Sequence, residues 1–450
     1  MSVSETSTAA AAVQGLPGAA GAAAPELGAL REVPYMGVIH VVAEAVRLGF
    51  YNGHPDWCNL GQGQPEVGEL EGAPKRVLEV KIDPADCAYG PLEGTDELRG
   101  AIAAHYNRLY RVGQKSQYTA ANVAVACGGR LALTRAMAAL SNVSVGYQLP
   151  DYTAYEDMFN MHLDRLRPVP IVGPRETGFS VSAQQVATVA QEEDLAAYLF
   201  SNPCNPTGNV LRGTELAELV ELARSRPLTL LSDEFYSHFI YDADHDGDDG
   251  GDAVAGAGPV SAASFVEDVN SDPVLIFDGL TKSYRYPGWR VGWAIGPPAM
   301  VETMARTASA IDGGPSRVAQ AAALTVLEPA RADQETDALR RAFTAKRNLM
   351  VRRLKEMGVT FAREPESTFY CFGSLENLPA PFNDGVSFFQ RALQHKVMTV
   401  PGEYFDVNPG KQREGVSPWK QWMRFSFGPP MDNMVMGLDR LEAMLAQARS

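Results

Sequence analysis

Two features that are common in membrane proteins and nucleic-acid-binding proteins are missing from this 450-residue sequence. There is no uninterrupted run of about 18 apolar residues, so we expect no membrane-spanning helix. The net charge is -15, and nonspecific binding to a phosphate backbone requires clustered Lys and Arg. We therefore expect neither a membrane nor a nucleic acid as a partner.

Cysteine is scarce as well. The five cysteines are scattered, odd in number and not spaced as metal ligands: Cys58, Cys87, Cys127, Cys204 and Cys371. This usage favours a reducing compartment over a disulfide framework or a zinc site. We expect no bound metal.

Basic residues are absent from the Ala- and Gly-rich N-terminal stretch, where the first is Arg31. A secretory signal begins with basic residues, and a transit peptide is rich in arginine. We expect residues 1–33 to form a disordered arm and the protein to be cytoplasmic.

The whole sequence, with 45% hydrophobic and 21% charged residues, has the composition of a globular protein, and its length is sufficient for two domains. Strand-like runs at residues 122–127, 143–149, 166–172, 196–200 and 228–232 alternate with helical patterns such as 215–224. This alternation predicts an α/β domain with a mainly parallel sheet. Ligands of such sheets bind at the carboxyl ends of the strands.

Lys282 follows one of these strands. A short apolar run ends at Asp278-Gly279, and the lysine comes next in a polar turn. Burial and nearby cations lower the pKa of a lysine, so that its amine can attack a carbonyl. We interpret Lys282 as the residue that forms a Schiff base with pyridoxal phosphate (PLP). Considered alone, the segment favours the alternative, a surface lysine in a strand-to-loop turn.

Two glycine-rich turns are further candidates. Gly128, Gly129 and Arg130 lie between a strand and a helix, where backbone amides and the helix dipole favour a phosphate. A plain strand–helix turn is the alternative. The loop at residues 59–65 contains Gly63, where the backbone can approach a ligand closely.

The acidic insert at residues 242–258 resembles a calcium loop in its opening Asp242, Asp244, Asp246 and Gly247. Its twelfth position, which requires a bidentate acid, is Ala253. We expect a solvated surface loop.

Four motifs occur in an order typical of one family: Asn205-Pro-Thr-Gly208, Asp233 with Tyr236, Thr281-Lys282 with Arg290, and Arg424-Phe-Ser-Phe-Gly428. From about residue 60 to its end, the chain resembles the class I/II aminotransferases, the aspartate-aminotransferase-like enzymes of PLP fold type I. The resemblance implies an α/β fold whose large domain has a seven-stranded, mainly parallel sheet flanked by helices. It also implies a smaller α/β domain and a homodimer with sites at the interface.

The domain boundaries that we expect are a large PLP-binding domain at residues 83–325 and a small domain at residues 326–450. The segment at residues 34–82 would join the small domain.

The resemblance implies roles around the cofactor. Lys282 would carry the Schiff base and then move the substrate proton. Asp233 would pair with the pyridine nitrogen, and Tyr236 and Asn205 would bind the 3′-oxygen. The remaining cofactor contacts would be Gly128, Gly129, Arg130, Thr281 and Arg290 around the phosphate, Tyr152 against the ring, and Tyr89 reaching the phosphate of the neighbouring subunit.

Arg424 would hold the substrate α-carboxylate through its planar guanidinium, together with Asn205 and the Gly63 backbone N–H. Two positions depart from the family pattern. Many relatives have a serine where this chain has Gly279, three residues before the lysine. The resemblance also implies a second arginine, after the lysine strand, in relatives that are specific for dicarboxylates. Residues 307–314 contain no arginine here, although Arg306 precedes them. This argues against aspartate or glutamate as the preferred donor and leaves 2-oxoglutarate open as the acceptor.

These residues predict a PLP-dependent aminotransferase that moves the amino group of an α-amino acid to a 2-oxo acid by a ping-pong mechanism. A lyase, cyclase or oxidase of amino acids on the same fold is the alternative, because the cofactor motifs do not choose between these reactions. A non-catalytic PLP-binding regulator is the third hypothesis.

Overall fold

The computed structural model describes residues 37–241 and 258–447. The chain divides into two units, Met1–Tyr35 and Met36–Ser450, and every described residue belongs to the second. The predicted arm at residues 1–33 lies outside the described residues, as does the acidic insert apart from Gly258. In chain order the strands are β1 (Cys58–Asn59), β2 (Val123–Ala126), β3 (Val143–Leu149), β4 (Leu166–Val172), β5 (Leu195–Ser201), β6 (Thr229–Asp233), β7 (Val274–Gly279), β8 (Gly292–Ile295), β9 (Tyr370–Ser374), β10 (Val397–Met398), β11 (Val400–Pro401) and β12 (Trp422–Ser426).

The helices surround these strands. In chain order they are α1 (Gly37–Arg47), α2 (Asp96–Tyr110), α3 (Gly129–Ala139), α4 (Ala154–Asn160), α5 (Ala183–Glu193), α6 (Thr214–Ser225), α7 (Pro298–Arg306), α8 (Ala308–Ile311), α9 (Arg317–Val326), α10 (Pro329–Met357), α11 (Gly385–Gln394) and α12 (Met431–Gln447). None of the helices within the described ranges is both long and apolar enough to cross a membrane.

The main sheet has seven strands in the order β2-β8-β7-β6-β5-β3-β4. Strand β8 runs antiparallel to β2 and to β7, and the other neighbouring pairs are parallel. The prediction of an α/β fold with a mainly parallel seven-stranded sheet is therefore confirmed.

Local signals explain where helix α2 begins. The Thr95 side chain caps this helix by accepting a hydrogen bond from the Leu98 N–H at 3.4 Å. Asp96 and Glu97 occupy the first turn and Arg108 the last, which complements the helix dipole. Helix α10 begins at Pro329, because Glu328 caps it and proline suits the first helical position.

Both faces of the main sheet are covered. Along β7, Val274 and Ile276 enter one apolar core, and Leu275 and Phe277 enter the other. Side chains of a strand alternate between the two faces, so a run of apolar residues indicates a strand that is buried on both sides. Such a strand has polar residues only at its ends.

A second, antiparallel sheet has the order β11-β12-β9, and the short strands β1 and β10 pair in parallel. Cys58 of β1 lies opposite Val397 of β10, so the segment before residue 82 contacts the C-terminal part of the chain. The boundaries at residues 83 and 325 stay predictions.

Candidate active site

Lys282 lies just beyond the end of β7 and is partly buried. Its Nζ donates a hydrogen bond to the Gly63 carbonyl oxygen. Burial and the cations Arg424 and Arg290 lower the pKa of the Lys282 amine from 10.5 to about 7, although Asp233 acts in the opposite direction. A large fraction of this amine is therefore neutral near pH 7, which a nucleophilic lysine requires.

The loop that carries Lys282 is held by a buried ion pair. The guanidinium of Arg285 donates from Nε to Glu335 of helix α10 at 2.6 Å, and both side chains are buried. Its Nη1 donates to the Gly68 carbonyl at 2.8 Å. Arg285 thus connects the lysine loop to helix α10 and to the segment that contains Gly63. Sequence analysis did not find this pair.

Asp233 is the last residue of β6 and is buried. Its Oδ2 accepts a hydrogen bond from the Tyr155 hydroxyl at 2.7 Å. Burial raises the pKa of Asp233 to about 6, against the opposing effects of the Tyr155 hydrogen bond and of Lys282. At pH 7.5 the carboxylate is mainly charged and can stabilise a proton on a nearby ring nitrogen.

Arg424 lies in the middle of β12 and is buried. Its Nη1 donates to Asn205 Oδ1 at 2.8 Å, and its Nη2 donates to the Gly61 carbonyl at 2.8 Å. Its Nε lies buried and has no hydrogen-bond partner among the described residues. Across residues 37–241 and 258–447 no carboxylate forms an ion pair with this guanidinium. A buried cation without an acid is an unusual and costly arrangement, and it is suited to binding an anion.

A second anion-binding arrangement lies at the start of α3. Gly128 has φ +89°, and a Cβ there would lie 2.2 Å from Arg290 Nη2. A Cβ on Gly129 would lie 1.9 Å from Phe235 Cζ. Both glycines are therefore required by close packing, and they place the Arg290 guanidinium beside the N-terminus of α3. Helix N-termini and arginine together favour phosphate.

Arg130 and Tyr152 contact each other. Arg130 Nη2 donates to the Tyr152 hydroxyl at 2.7 Å. The ring of Tyr152 packs edge-on against Tyr155, the donor to Asp233, with ring centroids 5.5 Å apart. The loops after β2, β3 and β6 therefore meet at one site.

Tyr236 is buried beside Lys282, with the lysine Nζ 5.9 Å from its ring centroid. Its hydroxyl shares a 2.8 Å hydrogen bond with the hydroxyl of Tyr370. Tyr370 also lies under Arg424, whose guanidinium carbon is 4.0 Å from the ring centroid. Sequence analysis missed Tyr370. The only local signal is its position in an apolar strand, which a core residue would share.

The other predicted residues are placed as follows. Thr281 is partly buried next to Lys282. Gly63 contributes its carbonyl to Lys282, whereas the sequence suggested a role for its N–H. Tyr89 is 98% exposed, and its predicted contact with a neighbouring subunit stays a prediction. The structure thus brings together the other candidates around Lys282.

A comparison with protein families agrees with this geometry. The sequence profile described as "Aminotransferase class I and II" matches residues 55–441. The chain belongs to the class I and II aminotransferase family. The prediction of an aminotransferase enzyme is confirmed.

Relatives of this aminotransferase span most of its length. It is 30% identical to an aspartate aminotransferase of Streptomyces avermitilis, over 87% of this chain and 89% of the relative. It is 26% identical to aromatic-amino-acid aminotransferase 2 of Thermococcus litoralis, over 87% and 92%.

Solved structures share the fold. An aspartate aminotransferase from Thermus thermophilus with maleate superposes with a TM-score of 0.73 at 23% identity, covering 92% of this chain and 100% of the other. An aspartate aminotransferase from Rhizobium meliloti gives a TM-score of 0.72 at 24% identity, covering 92% and 97%.

Gly279 has no room for a side chain. A Cβ at this position would lie 2.5 Å from the Val291 carbonyl oxygen and 2.7 Å from Gly292 Cα. Both obstacles are backbone atoms of the segment at β8, which cannot move independently of the sheet. A serine at this position would therefore require a shift of the sheet.

We predict that Gly279→Ser destabilises the protein by about 1–3 kcal/mol, the usual effect of overpacking, and does not tighten cofactor binding. The measurement is urea unfolding of both proteins, with PLP titration as a second readout. Gly100→Ser is the matched control, because a Cβ at Gly100 in helix α2 meets no atom within 4 Å. A Gly279→Ser protein of unchanged stability would contradict the steric account.

Residues 307–314 contain one charged residue, Asp312, and its carboxylate forms an ion pair with Arg135. The buried Arg135 donates from Nη2 to both carboxylate oxygens of Asp312, at 2.8 and 2.7 Å. Arg306 pairs with Glu302 on an exposed helix face. Arg306 is therefore placed as a surface residue of this chain.

Proposed function

We propose that this aminotransferase uses PLP, held covalently by Lys282, to move the amino group of an α-amino acid to a 2-oxo acid. One observation carries the proposal. A lysine whose pKa is lowered to about 7 lies close to a buried arginine that has no acidic partner in the described chain. An α-amino acid or 2-oxo acid supplies the missing carboxylate, and its reacting carbon is then held near the amine.

The residues around Lys282 fit PLP. The Gly128-Gly129 turn and Arg290 fit the phosphate of PLP. The two glycines have no side chain, so the Arg290 guanidinium lies beside the N-terminus of α3, and both groups attract a phosphate. Asp233 fits the ring nitrogen of PLP. Its buried carboxylate accepts a hydrogen bond from the neutral Tyr155 hydroxyl, and a protonated ring nitrogen would supply the positive charge that stabilises it. When bound, PLP supplies an aldehyde carbon for the lysine amine and a ring that accepts electrons from the substrate Cα.

The side chains of this protein then have distinct tasks. Lys282 would act as the base: its amine would take the proton from the substrate Cα and later return it. Asp233 would hold the ring nitrogen of the cofactor in its protonated state. Arg424 orients the α-carboxylate through its two terminal nitrogens, so that the Cα–H bond faces Lys282. Tyr236 and Asn205 supply hydrogen-bonding groups at the same end of the site.

The lack of an arginine in residues 307–314 supports a donor other than aspartate or glutamate. The one charged residue there, Asp312, is an acid and would repel a second substrate carboxylate. The preceding Arg306 pairs with Glu302 on an exposed surface. The relatives include enzymes named for aspartate and for aromatic amino acids, so membership of the family leaves both classes open. We propose an uncharged primary donor, and 2-oxoglutarate fits as an acceptor.

The oligomeric state and the location belong to the proposal too. Tyr89 is almost fully exposed, and a homodimer with sites at the interface would give this residue a cofactor phosphate to bind.

The five cysteines are unpaired, which supports a reducing, cytoplasmic location.

The test is to mix PLP-loaded protein with a panel of single amino acids and record the visible absorbance of the cofactor. We expect uncharged α-amino acids to bleach the absorbance and a 2-oxo acid to restore it, with release of the new amino acid. Release of ammonia or peroxide without any acceptor would instead assign a lyase or oxidase and exclude the transfer reaction.

A further inference from the structure

Tyr370 touches both halves of the site. It is fully buried at the start of β9, and its hydroxyl lies 2.8 Å from the hydroxyl of Tyr236, which belongs to the loop after β6. Its ring lies 4.0 Å from the guanidinium carbon of Arg424 on β12. The same side chain therefore contacts the tyrosine beside Lys282 and the arginine that we assign to the carboxylate.

Strand pairing and a hydrogen bond of its backbone N–H hold Tyr370 in position. Strands β9 and β12 pair antiparallel, with Tyr370 opposite Ser426 and Phe372 opposite Arg424. The Tyr370 N–H donates to Thr368 Oγ1 at 3.1 Å. The hydroxyl faces Gly63, where a Cβ would lie 3.4 Å away, so Tyr370 also borders the loop whose carbonyl accepts from Lys282.

We propose that Tyr370 is a positioning residue with two separable roles in the proposed function, on which this inference rests. Its hydroxyl is the donor to the Tyr236 oxygen when Tyr236 turns its own proton toward the cofactor. Its ring keeps the Arg424 guanidinium in the plane that receives the substrate carboxylate.

The first role follows from hydrogen-bond geometry. Burial raises the pKa of Tyr236 well above 10, so this phenol stays protonated and has one hydrogen to donate. If that hydrogen goes to the 3′-oxygen of the cofactor, the Tyr236 oxygen needs a donor of its own, and Tyr370 is within reach. Hydrogen bonds in a chain strengthen one another, so Tyr236 becomes a stronger donor. The other charged or titratable groups facing these hydroxyls are Arg424, Lys282 and Tyr152.

The second role follows from the cation–π contact. A guanidinium 4.0 Å from a buried ring is within the range of a strong interaction. Phe405 borders the same guanidinium carbon at 4.9 Å. Two rings thus confine Arg424, while Asn205 and Gly61 accept from its terminal nitrogens.

The experiment compares Tyr370→Phe, which removes the hydroxyl, with Tyr370→Leu, which removes the hydroxyl and the ring. The two readouts are the pH midpoint of the cofactor absorbance in PLP-loaded protein and the dissociation constant of the α-methyl analogue of the best donor. Tyr198→Phe is the control, because the buried Tyr198 hydroxyl lacks a hydrogen-bond partner and lies in the other apolar core.

We expect Tyr370→Phe to raise the pH midpoint by about half a unit or more, because a weaker Tyr236 donor stabilises the charged cofactor oxygen less. The dissociation constant should change less than twofold. Tyr370→Leu should raise the midpoint to the same extent and weaken binding of the analogue about 10-fold. Tyr198→Phe should change neither readout.

Three results would overturn this inference alone. The first is a midpoint that is the same in the wild type and both variants, or a cofactor absorbance that changes with pH in none of them. The second is an equal loss of analogue binding in both variants. The third is a loss of thermal stability without separation of the two readouts, which a merely structural role would give. If the wild-type protein binds no PLP, or if no amino acid bleaches its cofactor absorbance, the proposed function itself fails, and the inference fails with it.

Discussion

Lys282→Ala is expected to lower kcat for amino transfer by about 10⁴-fold or more, because one substitution removes both the covalent anchor and the base. The measurement is the release of 2-oxo acid from the best donor under saturating conditions. Lys396→Ala is the control, since Lys396 is an exposed lysine that pairs with Asp56 on the surface. A Lys282→Ala protein that keeps full turnover would refute the covalent mechanism.

The same substitution is expected to raise the stability of the cofactor-free protein. The pKa of Lys282 falls from 10.5 in the unfolded chain to about 7 in the folded protein, so folding disfavours the charged amine. Between these two pH values the unfolded chain binds the extra proton, and the free energy of unfolding of the wild type rises with pH. The gain from Lys282→Ala is therefore largest below pH 7 and shrinks toward pH 10.5.

Thermal unfolding of both cofactor-free proteins at pH 6.5 and pH 9.5 measures this effect. A higher Tm together with lost turnover separates loss of chemistry from loss of folding. If the stability difference between the variant and the wild type were the same at both pH values, our account of the lowered pKa of Lys282 would be wrong.

Asp233→Asn is expected to lower kcat by about 10³-fold, the scale for loss of one preorganised electrostatic group. The amide is neutral and cannot hold a proton on the ring nitrogen, so the ring accepts electrons from the substrate less readily. The Tyr155 hydroxyl can still donate to the amide oxygen, which limits disruption of the fold. Stopped-flow decay of the cofactor absorbance after mixing with the donor measures the step directly.

The neighbouring Glu234 provides the matched control for Asp233. Glu234 is equally buried, but its Oε1 accepts from Ser232 and from the Ala262 N–H, away from Lys282. Glu234→Gln should keep turnover within about threefold, since successive residues at a strand end point to opposite faces. Equal losses in the two variants would indicate a general effect of removing a buried carboxylate and would contradict the role of Asp233.

Several elements could be predicted because their signals are local. The apolar run that became β7 ends at a polar turn, and Lys282 follows, as predicted. Thr95 is a residue type typical of N-caps, and its side chain accepts a hydrogen bond from the Leu98 N–H. Alternation of strands and helices was sufficient to predict the mainly parallel sheet, because parallel strands require crossover helices. In each case the residues that determine the structure are neighbours in the chain.

The contacts that complete the site could not be predicted in this way. Tyr370 meets Tyr236 across 134 residues of sequence, and Arg285 meets Glu335 across 50. Neither pair has a spacing or a motif that distinguishes it from ordinary core residues. The burial of Arg424 was equally open, because an arginine in a short strand can face solvent or the interior.

The sequence by itself determined the fold class, the lysine at a strand end and the carboxylate at the end of the neighbouring strand. Periodicity, capping residues and strand-end polarity are short-range properties, and they are readable without coordinates. Only the tertiary structure decided that Arg424 is buried without an acid, that Gly279 has no room for a side chain, and that Tyr370 joins the two halves of the site. These features depend on which surfaces pack together, and packing brings distant segments within a few ångströms of each other.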